Sequence, residues 1–597
     1  MEASTAPAAA ESIVAALAQA GTWLMFGVPG GGPNLDVVGA AEAAGIRFVL
    51  AHGETAATIM AATSADLTGA PGAVVVTRGP GLASAVNGIA HAALDRLPVV
   101  VIADTVADTG AGADAGRISH QRIDQAALGR SVAKAAVTVA GPAAAAGAVA
   151  IARAAPAGPV IANMDASMNT SAASRDGSPG RRRAENGVEA QTLRAAQDTA
   201  ARAGRARLAE AARAGRARLA EAVRAARRPV VLLGTGAIPR TAAVRAALAG
   251  RGIPALHTYR ARGVLPDSAA EAAGLVTGGT MEWPLLSAAD LIVGLGVDEA
   301  EMIPARWDYP ARTILVAEPG APPARGWFTG AAELTMPLTE ALDVLAAGPR
   351  PDWPADAGRA ARRDASRRLA AAAAAGPGRL APQQVVATAR ACAPPETIAT
   401  VDAGAHMLVA MPLWEVPGPR MLLTSSGLAT MGYALPAAIA AALCLQTQGL
   451  PQTPGAPEAP VLAFTGDGGL GMTLAEIETA VRLSLRVVGI VFNDAALSLI
   501  KIKQRPAGQG GEEAVRYRPV SFAAAAAALG AAGAAVGTER ELAAALTDAL
   551  ARPGPTVIDA SVDPACYPAV MDLSRGQAGR RSVPGISRAP HLKEHAR

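Results

Sequence analysis

The run VLAFTGD (461–467) leads into Gly466, Asp467, Gly468 and Gly469, and a second apolar run, RVVGIVFND (486–494), carries Asn493 near its end. Asp467 and Asn493 lie 26 positions apart (493 − 467), with the helical pattern LAEIETAVRLS between them. One strand–helix–strand crossover returns Asn493 beside Asp467, at the carboxyl edge of a parallel sheet, where ligands of open α/β sheets gather. Mg2+ takes hard oxygen ligands in near-octahedral geometry and shares them with substrate phosphates. Asp467 offers a carboxylate, Asn493 an amide oxygen, and the backbone carbonyl of Ala495 is expected as a third ligand. The glycines let the backbone approach a diphosphate, whose charge is stabilised by amides exposed at a helix start. A plain Asp-Gly turn would account for Gly466–Gly468 alone. It does not account for the whole unit ending on Asn, so a metal–diphosphate site is expected.

Glu54 is the second candidate. It follows the apolar run RFVLA (47–51) and precedes the small residues Thr55, Ala56 and Ala57, which read as a helix start. It is therefore expected at the carboxyl end of a strand. A first-turn glutamate favoured by the helix dipole is the ordinary explanation. The chemical one is a carboxyl in apolar surroundings, where burial raises the pKa and favours the protonated form.

Both candidates need parallel sheets to position them. Short β-branched runs alternate with Ala-rich helical stretches in three blocks, the grammar of βαβ units. GAVVVT (72–77), LPVVVIAD (97–104) and PVIANMD (159–165) complete the first block; PVVLLG (229–234), DLIVGLG (290–296) and TILVAE (313–318) mark the second; TIATVD (397–402) and TVIDASV (556–562) complete the third. The expected fold class is α/β, with three doubly wound parallel-sheet domains over 1–175, 227–349 and 381–572. A linker over 176–226 and a linker helix over 350–380 separate them, and 573–597 is a basic tail. In the first linker RAGRARLAEAA (202–212) is repeated as RAGRARLAEAV (213–223). A period of eleven is close to three helical turns, so Leu208 and Leu219 are expected on one face of a lengthened helix.

Composition narrows the classes. At 597 residues the chain exceeds one domain, and 51% hydrophobic content supplies cores although aromatics are only 3%. No run of 18 or more strongly apolar residues occurs, so no membrane partner is expected. MEASTAPAAAES lacks the basic and apolar regions of a secretory leader. Cys392, Cys444 and Cys566 are too far apart for a disulfide framework or metal knuckle, which fits a reducing cytoplasm. The net charge of +4 rests on arginine, clustered at Arg181–Arg183, Arg359–Arg368 and Arg575–Arg588. Solvated surface accounts for these clusters. No zinc-finger or RNA-recognition signature accompanies them, so no nucleic-acid partner is expected.

On these residues the chain resembles the thiamine diphosphate enzymes of the acetolactate synthase type, whose signature is GDG followed at a similar distance by Asn. The resemblance spans about 10–170 and 227–565 and includes FGVPGG (26–31), TRGPGLASAVNGIAHA (77–92), LPVVVIAD (97–104) and SSGLATMGYALPAAIAAAL (425–443). It implies a pyrimidine-binding first domain, a middle domain and a diphosphate-binding third domain. It implies thiamine diphosphate and Mg2+ as cofactors, with Asp467, Asn493 and the Ala495 carbonyl on the metal and Gly466, Gly468 and Gly469 at the diphosphate. Glu54 would be the acid that hydrogen-bonds the cofactor's aminopyrimidine and lets it remove the C2 proton. His52 beside it is a supporting candidate. Met431 matches the bulky residue that props the cofactor into its bent form. Ala429 matches a glycine whose carbonyl accepts from the aminopyrimidine, and His406 lies near the diphosphate. Gln121 matches an active-site glutamine on the substrate side; a surface polar residue is the plain alternative. In the family the residues matching Glu54 and Asp467 meet across a subunit interface, which implies a homodimer or homotetramer with shared active sites.

The implied activity is decarboxylation of a 2-oxo acid substrate to an enamine, then ligation to an acceptor carbonyl. The loop Gly27-Val28-Pro29-Gly30-Gly31-Gly32 carries no Ser or His, and there is no tandem His pair; both lean toward ligation. A simple 2-oxo acid decarboxylase, another thiamine diphosphate lyase and a non-catalytic cofactor-binding paralogue are the alternatives. The joint presence of Glu54, Asp467 and Asn493 argues against the last. There are departures from the family pattern. No Lys follows Asn163-Met164-Asp165-Ala166-Ser167, and Ala405 stands where relatives often have Gln. DLIVGLGVDEAE and ILVAEPG lack a GxGxxG fingerprint, so FAD is allowed by kinship and unsupported by motif. Lys501, Lys503 and Gln504 read either as substrate-entrance residues or as an amphipathic helix.

Overall fold

The computed structural model describes residues 6–105, 120–165, 186–302, 307–322, 324, 326–448, 460–503 and 511–576. Three six-stranded parallel sheets follow one another along the chain. The first holds β1 (Leu24–Val28), β2 (Arg47–Leu50), β3 (Gly72–Val76), β4 (Val99–Thr105), β5 (Ala135–Val139) and β6 (Val160–Asp165), in the order β2-β1-β3-β4-β6-β5. The second holds β7 (Pro229–Leu233), β8 (Ala255–His257), β9 (Ala272–Leu275), β10 (Leu291–Leu295), β11 (Arg312–Ala317) and β12 (Ala332–Thr335), in the order β12-β11-β10-β7-β8-β9. The third holds β13 (Ala399–Val401), β14 (Leu422–Thr424), β15 (Val461–Gly466), β16 (Val487–Asn493), β17 (Ala532–Val536) and β18 (Thr556–Ser561), in the order β14-β13-β15-β16-β18-β17. Counted from its own first strand, the third sheet repeats the order of the first.

Helices cover both faces of these sheets, which is why the central strands read as continuous apolar runs. Val74, Val75, Val76, Val99, Val100 and Val101 are all fully buried. The helix Glu54–Thr68 buries every residue from Ala56 to Ala65. A helix apolar on all sides must be enclosed, and this one packs against the equally apolar helix Ala434–Gln448. Ile59 and Met60 share one core with Ile439 and Leu443, and Ser64 Oγ lies 3.9 Å from Cys444 Sγ. The first and third domains are thus joined through a common apolar layer.

Charge fixes the middle domain to both. Asp66 lies between Arg260 of the middle domain, at 2.9 Å, and Arg420 of the third, at 3.1 Å. Burial alone would raise its pKa, but the two guanidinium groups outweigh burial and hold it below the usual carboxylate value.

The duplicated segment lies in a 40-residue helix, Asn186–Ala225. The two copies are buried to different depths. Leu219 is fully enclosed against the middle domain, whereas Leu208 is 45% exposed. Eleven residues advance a helix by about 16 Å, so Leu208 can share the face of Leu219 and still lie beyond the core that Ala212, Leu219, Ala222 and Val223 join. The second linker contains the helix Ala357–Ala370. Among the described residues no helix is long and apolar enough to cross a membrane. Arg181–Arg183, Ala166, Ser167, Gln504 and nearly all of the basic tail lie outside the described residues.

Candidate functional site

The third sheet changes direction between β13 and β15, the switch point at which open α/β sheets leave a crevice. A cavity of about 240 Å3 lies there. His406, Ala429, Met431, Gly466, Asp467, Gly468 and Gly469, seven of the residues expected around the cofactor, all line it. Glu54, Gln121, Asn493 and Ala495 do not.

Asp467 begins a helix directly after β15 and is 6% exposed. Its carboxylate accepts from Gly468 N at 2.7 Å and Ala496 N at 3.0 Å, stitching the turn after β15 to the turn after β16. Burial pushes its pKa up, and these backbone amides oppose that. The register pairs Gly466 with Phe492, so Asp467 and Asn493 are the next residues along two neighbouring strands. Asn493 donates through Nδ2 to Val520 O at 2.9 Å and to Asp559 Oδ1 at 2.8 Å. Both amide protons are engaged, which leaves Oδ1 for a cation. Ala495 has φ 55°, and its carbonyl accepts from Tyr517 N at 2.8 Å, with a second lone pair remaining.

One carboxylate, one amide oxygen and one carbonyl form a hard-oxygen set that suits Mg2+ and leaves positions for phosphate oxygens. Among the described residues no cluster of three or more His, Cys, Asp or Glu side chains could hold a metal. His406 supplies a further mark of fit. Its ring is 3% exposed and stacks on Phe492 at 5.3 Å, and its buried Nε2 has no partner among the described residues. Burial pushes its pKa down to about 4, so the ring is neutral. The residues present fit a diphosphate carried by Mg2+.

The glycines divide by role. A Cβ at Gly466 would touch the His406 ring at 3.4 Å, and one at Gly468 would meet Leu497 at 2.9 Å. At Gly469 it would fall 2.1 Å from Asp402 Oδ2, inside the protein. Gly469 therefore has an internal packing reason to be glycine, besides the diphosphate one read from the sequence. Ala429, expected to offer only backbone, sits at φ 54°.

Asp494 was not anticipated. It lines the cavity and accepts from Ser498 Oγ. Burial pushes its pKa up to about 6, with the Asp467 charge adding and the Ser498 hydroxyl opposing. Its position directly after Asn493 was the available sequence signal.

Glu54 is the first residue of its helix, just past β2, with Gly53 as N-cap. It is part-buried in the first domain, where a Cβ at Gly81 would lie 3.3 Å from Glu54 Oε1. Gln121 lies beside the same turn, its backbone O 2.3 Å from a Cβ placed at Gly79, and has φ 59°. The structure thus brings Glu54 and Gln121 to one turn, apart from the cavity. His52 pairs with Glu478 at 2.8 Å in an exposed contact with the third domain. Glu476 Oε1, also from that domain, accepts from His52 N and Gly53 N at 3.0 and 3.1 Å.

The middle sheet has its own switch point, between β7 and β10. There Gly236 N donates to Gly296 O at 2.8 Å, and a Cβ at Gly234 would fall 2.4 Å from Val297 Cα. The Glu301 carboxylate accepts from Thr235 N at 2.9 Å, Thr258 Oγ1 at 2.8 Å and Asp298 N at 3.0 Å. Burial pushes its pKa up to about 7 against those bonds.

Known proteins resemble the chain over all three domains. Residues 7–128 match the thiamine pyrophosphate enzyme N-terminal TPP binding domain, 216–317 the central domain, and 402–560 the C-terminal TPP binding domain. The chain is 28% identical to the acetolactate synthase isozyme 1 large subunit of Escherichia coli, over 93% of this chain and 94% of that protein. It is 27% identical to an acetolactate synthase of Bacillus subtilis, over 93% of each. It is also 26% identical to a probable 2-ketoarginine decarboxylase of Pseudomonas aeruginosa, over 83% of each.

Proposed function

Because this chain belongs to the thiamine pyrophosphate (thiamine diphosphate) enzyme family and is an enzyme acting on 2-oxo acids, we propose that it decarboxylates a 2-oxo acid and ligates the product to a second carbonyl compound, using Mg2+. The observation that carries this reading is the cavity at the β13/β15 switch point. Asp467 and His406, whose buried Nε2 has no partner among the described residues, line it together, with the pinned amide of Asn493 on the neighbouring strand.

Asp467, Asn493 and the Ala495 carbonyl would hold Mg2+. Gly466, Gly468, Gly469 and His406 would surround the diphosphate, and Met431 would pack under the cofactor's bend. When bound, thiamine diphosphate supplies a carbon nucleophile that adds to the 2-oxo carbonyl and takes up the electron pair left when CO2 departs. Glu54 would hold a proton at the aminopyrimidine nitrogen. Gln121 would face the substrate side. Glu54 stands apart from the cavity in the single chain, which supports a homodimer, or a tetramer of such dimers, in which one subunit's Glu54 completes the other's site. The free cysteines Cys392, Cys444 and Cys566 suit a reducing cytoplasm.

The loop after β1, Pro29-Gly30-Gly31-Gly32, carries no side chain that could protonate a product. That favours ligation. The likeness to a probable decarboxylase supports simple decarboxylation as the second reading. In the middle domain, backbone contact between Gly236 and Gly296 and the Glu301 carboxylate on Thr235 N support a domain that takes no FAD.

The test supplies the purified chain with thiamine diphosphate and Mg2+ and offers a panel of 2-oxo acids. CO2 release with a ligated product supports the proposal. CO2 with only an aldehyde product selects the second reading. No CO2 from any acid would contradict the proposal. Asp467→Ala should abolish Mg2+-dependent cofactor binding measured by calorimetry.

A further inference from the structure

We propose that Asp559 is a positioning residue for the metal: it fixes the Asn493 amide so that oxygen, not nitrogen, faces the cation. This rests on the reading above, in which Asn493 is a metal ligand.

Asp559 lies on β18, which pairs with β16 through Val491↔Asp559 and Asn493↔Ser561. It is 7% exposed, and both its oxygens are used. Oδ1 accepts from Asn493 Nδ2 at 2.8 Å. Oδ2 accepts from Phe522 N at 2.8 Å and Ala523 N at 3.4 Å, at the start of the helix Phe522–Ala528. Val520 O takes the second Asn493 proton at 2.9 Å.

The two ends of a primary amide are nearly equal in size and opposite in function. An amide that turns its NH2 toward a divalent cation repels it. Only the surroundings choose between the two orientations. Asp559 Oδ1 and Val520 O are both acceptors with no proton to give, so either one facing Asn493 Oδ1 would set lone pair against lone pair. The pair of acceptors therefore excludes the flipped amide. Asp559 is the stronger of the two, because its charge strengthens the hydrogen bond. Groups that orient metal ligands from behind typically govern about 10–100-fold in metal affinity.

Asp559→Asn separates this role from simple support. Asn has one acceptor end. If it faces Phe522 N, its NH2 meets the Asn493 NH2; Val520 O still opposes a full flip, so the Asn493 amide is either flipped against that carbonyl or pushed out of place, and in both cases its oxygen no longer faces the metal. If it faces Asn493, its NH2 meets Phe522 N instead, and the helix cap is lost while the metal ligand is kept. Leaving two buried amides without any acceptor is the costlier loss, so the expected outcome is that Asn keeps the cap and the Asn493 amide is displaced from the metal.

The experiment titrates thiamine diphosphate into the full-length apoprotein by calorimetry across a series of Mg2+ concentrations. Asp559→Asn should raise the Mg2+ concentration needed for half-maximal binding by about 10–100-fold. In an Asn493→Ala background the same change should add less than twofold, because the ligand it orients is gone. Asp559→Glu keeps the charge and the helix cap but displaces the contact with Asn493; it should shift the Mg2+ requirement in the same direction and serves if Asp559→Asn does not fold. An unchanged Mg2+ requirement in Asp559→Asn, or an equal effect with and without Asn493, would overturn the proposal. If Asp467→Ala and Asn493→Ala also leave Mg2+-dependent binding unchanged, the metal-site reading itself fails.

Discussion

Gly469→Ala tests whether the glycine run after β15 serves packing as well as cofactor approach. The new methyl carbon would sit 2.1 Å from Asp402 Oδ2 and 2.9 Å from Thr465 Oγ1. Real contacts of this type do not fall below 3.0 Å, so Asp402 or the helix Asp467–Thr473 must move by about an ångström. Asp402 cannot move freely. It is fully buried, accepts from Ala434 N at 2.7 Å at the start of the helix Ala434–Gln448, and holds Thr465 Oγ1 at 2.5 Å. Breaking one hydrogen bond to a charged acceptor costs about 1.5–3 kcal/mol, and overpacking costs about 1–3 kcal/mol. Because moving Asp402 relieves part of the overlap, the expected loss is about 2–5 kcal/mol. For a domain of this size that lowers the melting temperature by roughly 5–15 °C. Gly471 is the control. It lies in the same helix with nothing within 4 Å of a built Cβ, so Gly471→Ala should gain about 0.5–1 kcal/mol through helix propensity. Thermal unfolding of the apoprotein, followed by circular dichroism, compares the two. If Gly469→Ala melts within 2 °C of wild type, the internal packing argument is wrong and the glycine serves the cofactor alone.

Glu54→Gln should bind thiamine diphosphate and Mg2+ as wild type does, by calorimetry, yet lose about 10²–10⁴-fold in CO2 release; full activity would remove Glu54 from the chemistry. Mixing inactive Glu54→Gln with inactive Asp467→Ala subunits under exchange conditions should restore part of the activity, and hybrids that form but stay inactive would contradict a shared site. The purified chain should carry no flavin absorbance and should show no heat on FAD titration; stoichiometric FAD would mean that Glu301 yields its place. Burial pushes the His257 pKa down to about 4 from an ordinary value of 6.5, and its Nε2 accepts from Leu265 N, so the ring is neutral when folded. The unfolded chain takes up the proton first as pH falls below 6.5. Stability is therefore fully present above that pH and declines toward pH 4 by about 3 kcal/mol, and His257→Gln should flatten that fall in melting temperature.

What the sequence made legible follows the physics of sheets. β3, β4, β15 and β16 are enclosed on both faces, so they must be continuous apolar runs and read as such. β5, β14 and β17 lie at sheet edges, and Ala135–Val139 and Ala532–Val536 are too rich in alanine to signal a strand. β8 is an interior strand of only three residues. Asp467 and Asn493 could be placed side by side because a single crossover joins them. Asp559 lies 66 positions beyond Asn493 and reaches it only through the strand order β16-β18-β17, which no local pattern encodes. Glu301 was hidden for a similar reason: its meaning depends on Thr235, 66 positions earlier.

The separation of Glu54 from the cavity follows from how the two outer domains are joined. Each places its candidate chemistry at the carboxyl edge of a sheet with the same strand order. Within one chain the domains meet through the helices Glu54–Thr68 and Ala434–Gln448, which consumes those helix faces in core packing. The carboxyl edges keep apolar side chains uncovered: Leu50 two residues before His52, Met472 in the helix that Asp467 begins, Ile500 at the cavity wall, and Tyr517 and Val520 beside the Ala495 and Asn493 contacts are all 46–64% exposed. Scattered exposed aliphatics need no explanation, but apolar residues gathered along a functional edge do. In the proposed homodimer, a second copy laid across that edge would bury such side chains and bring its own Glu54 to the cavity.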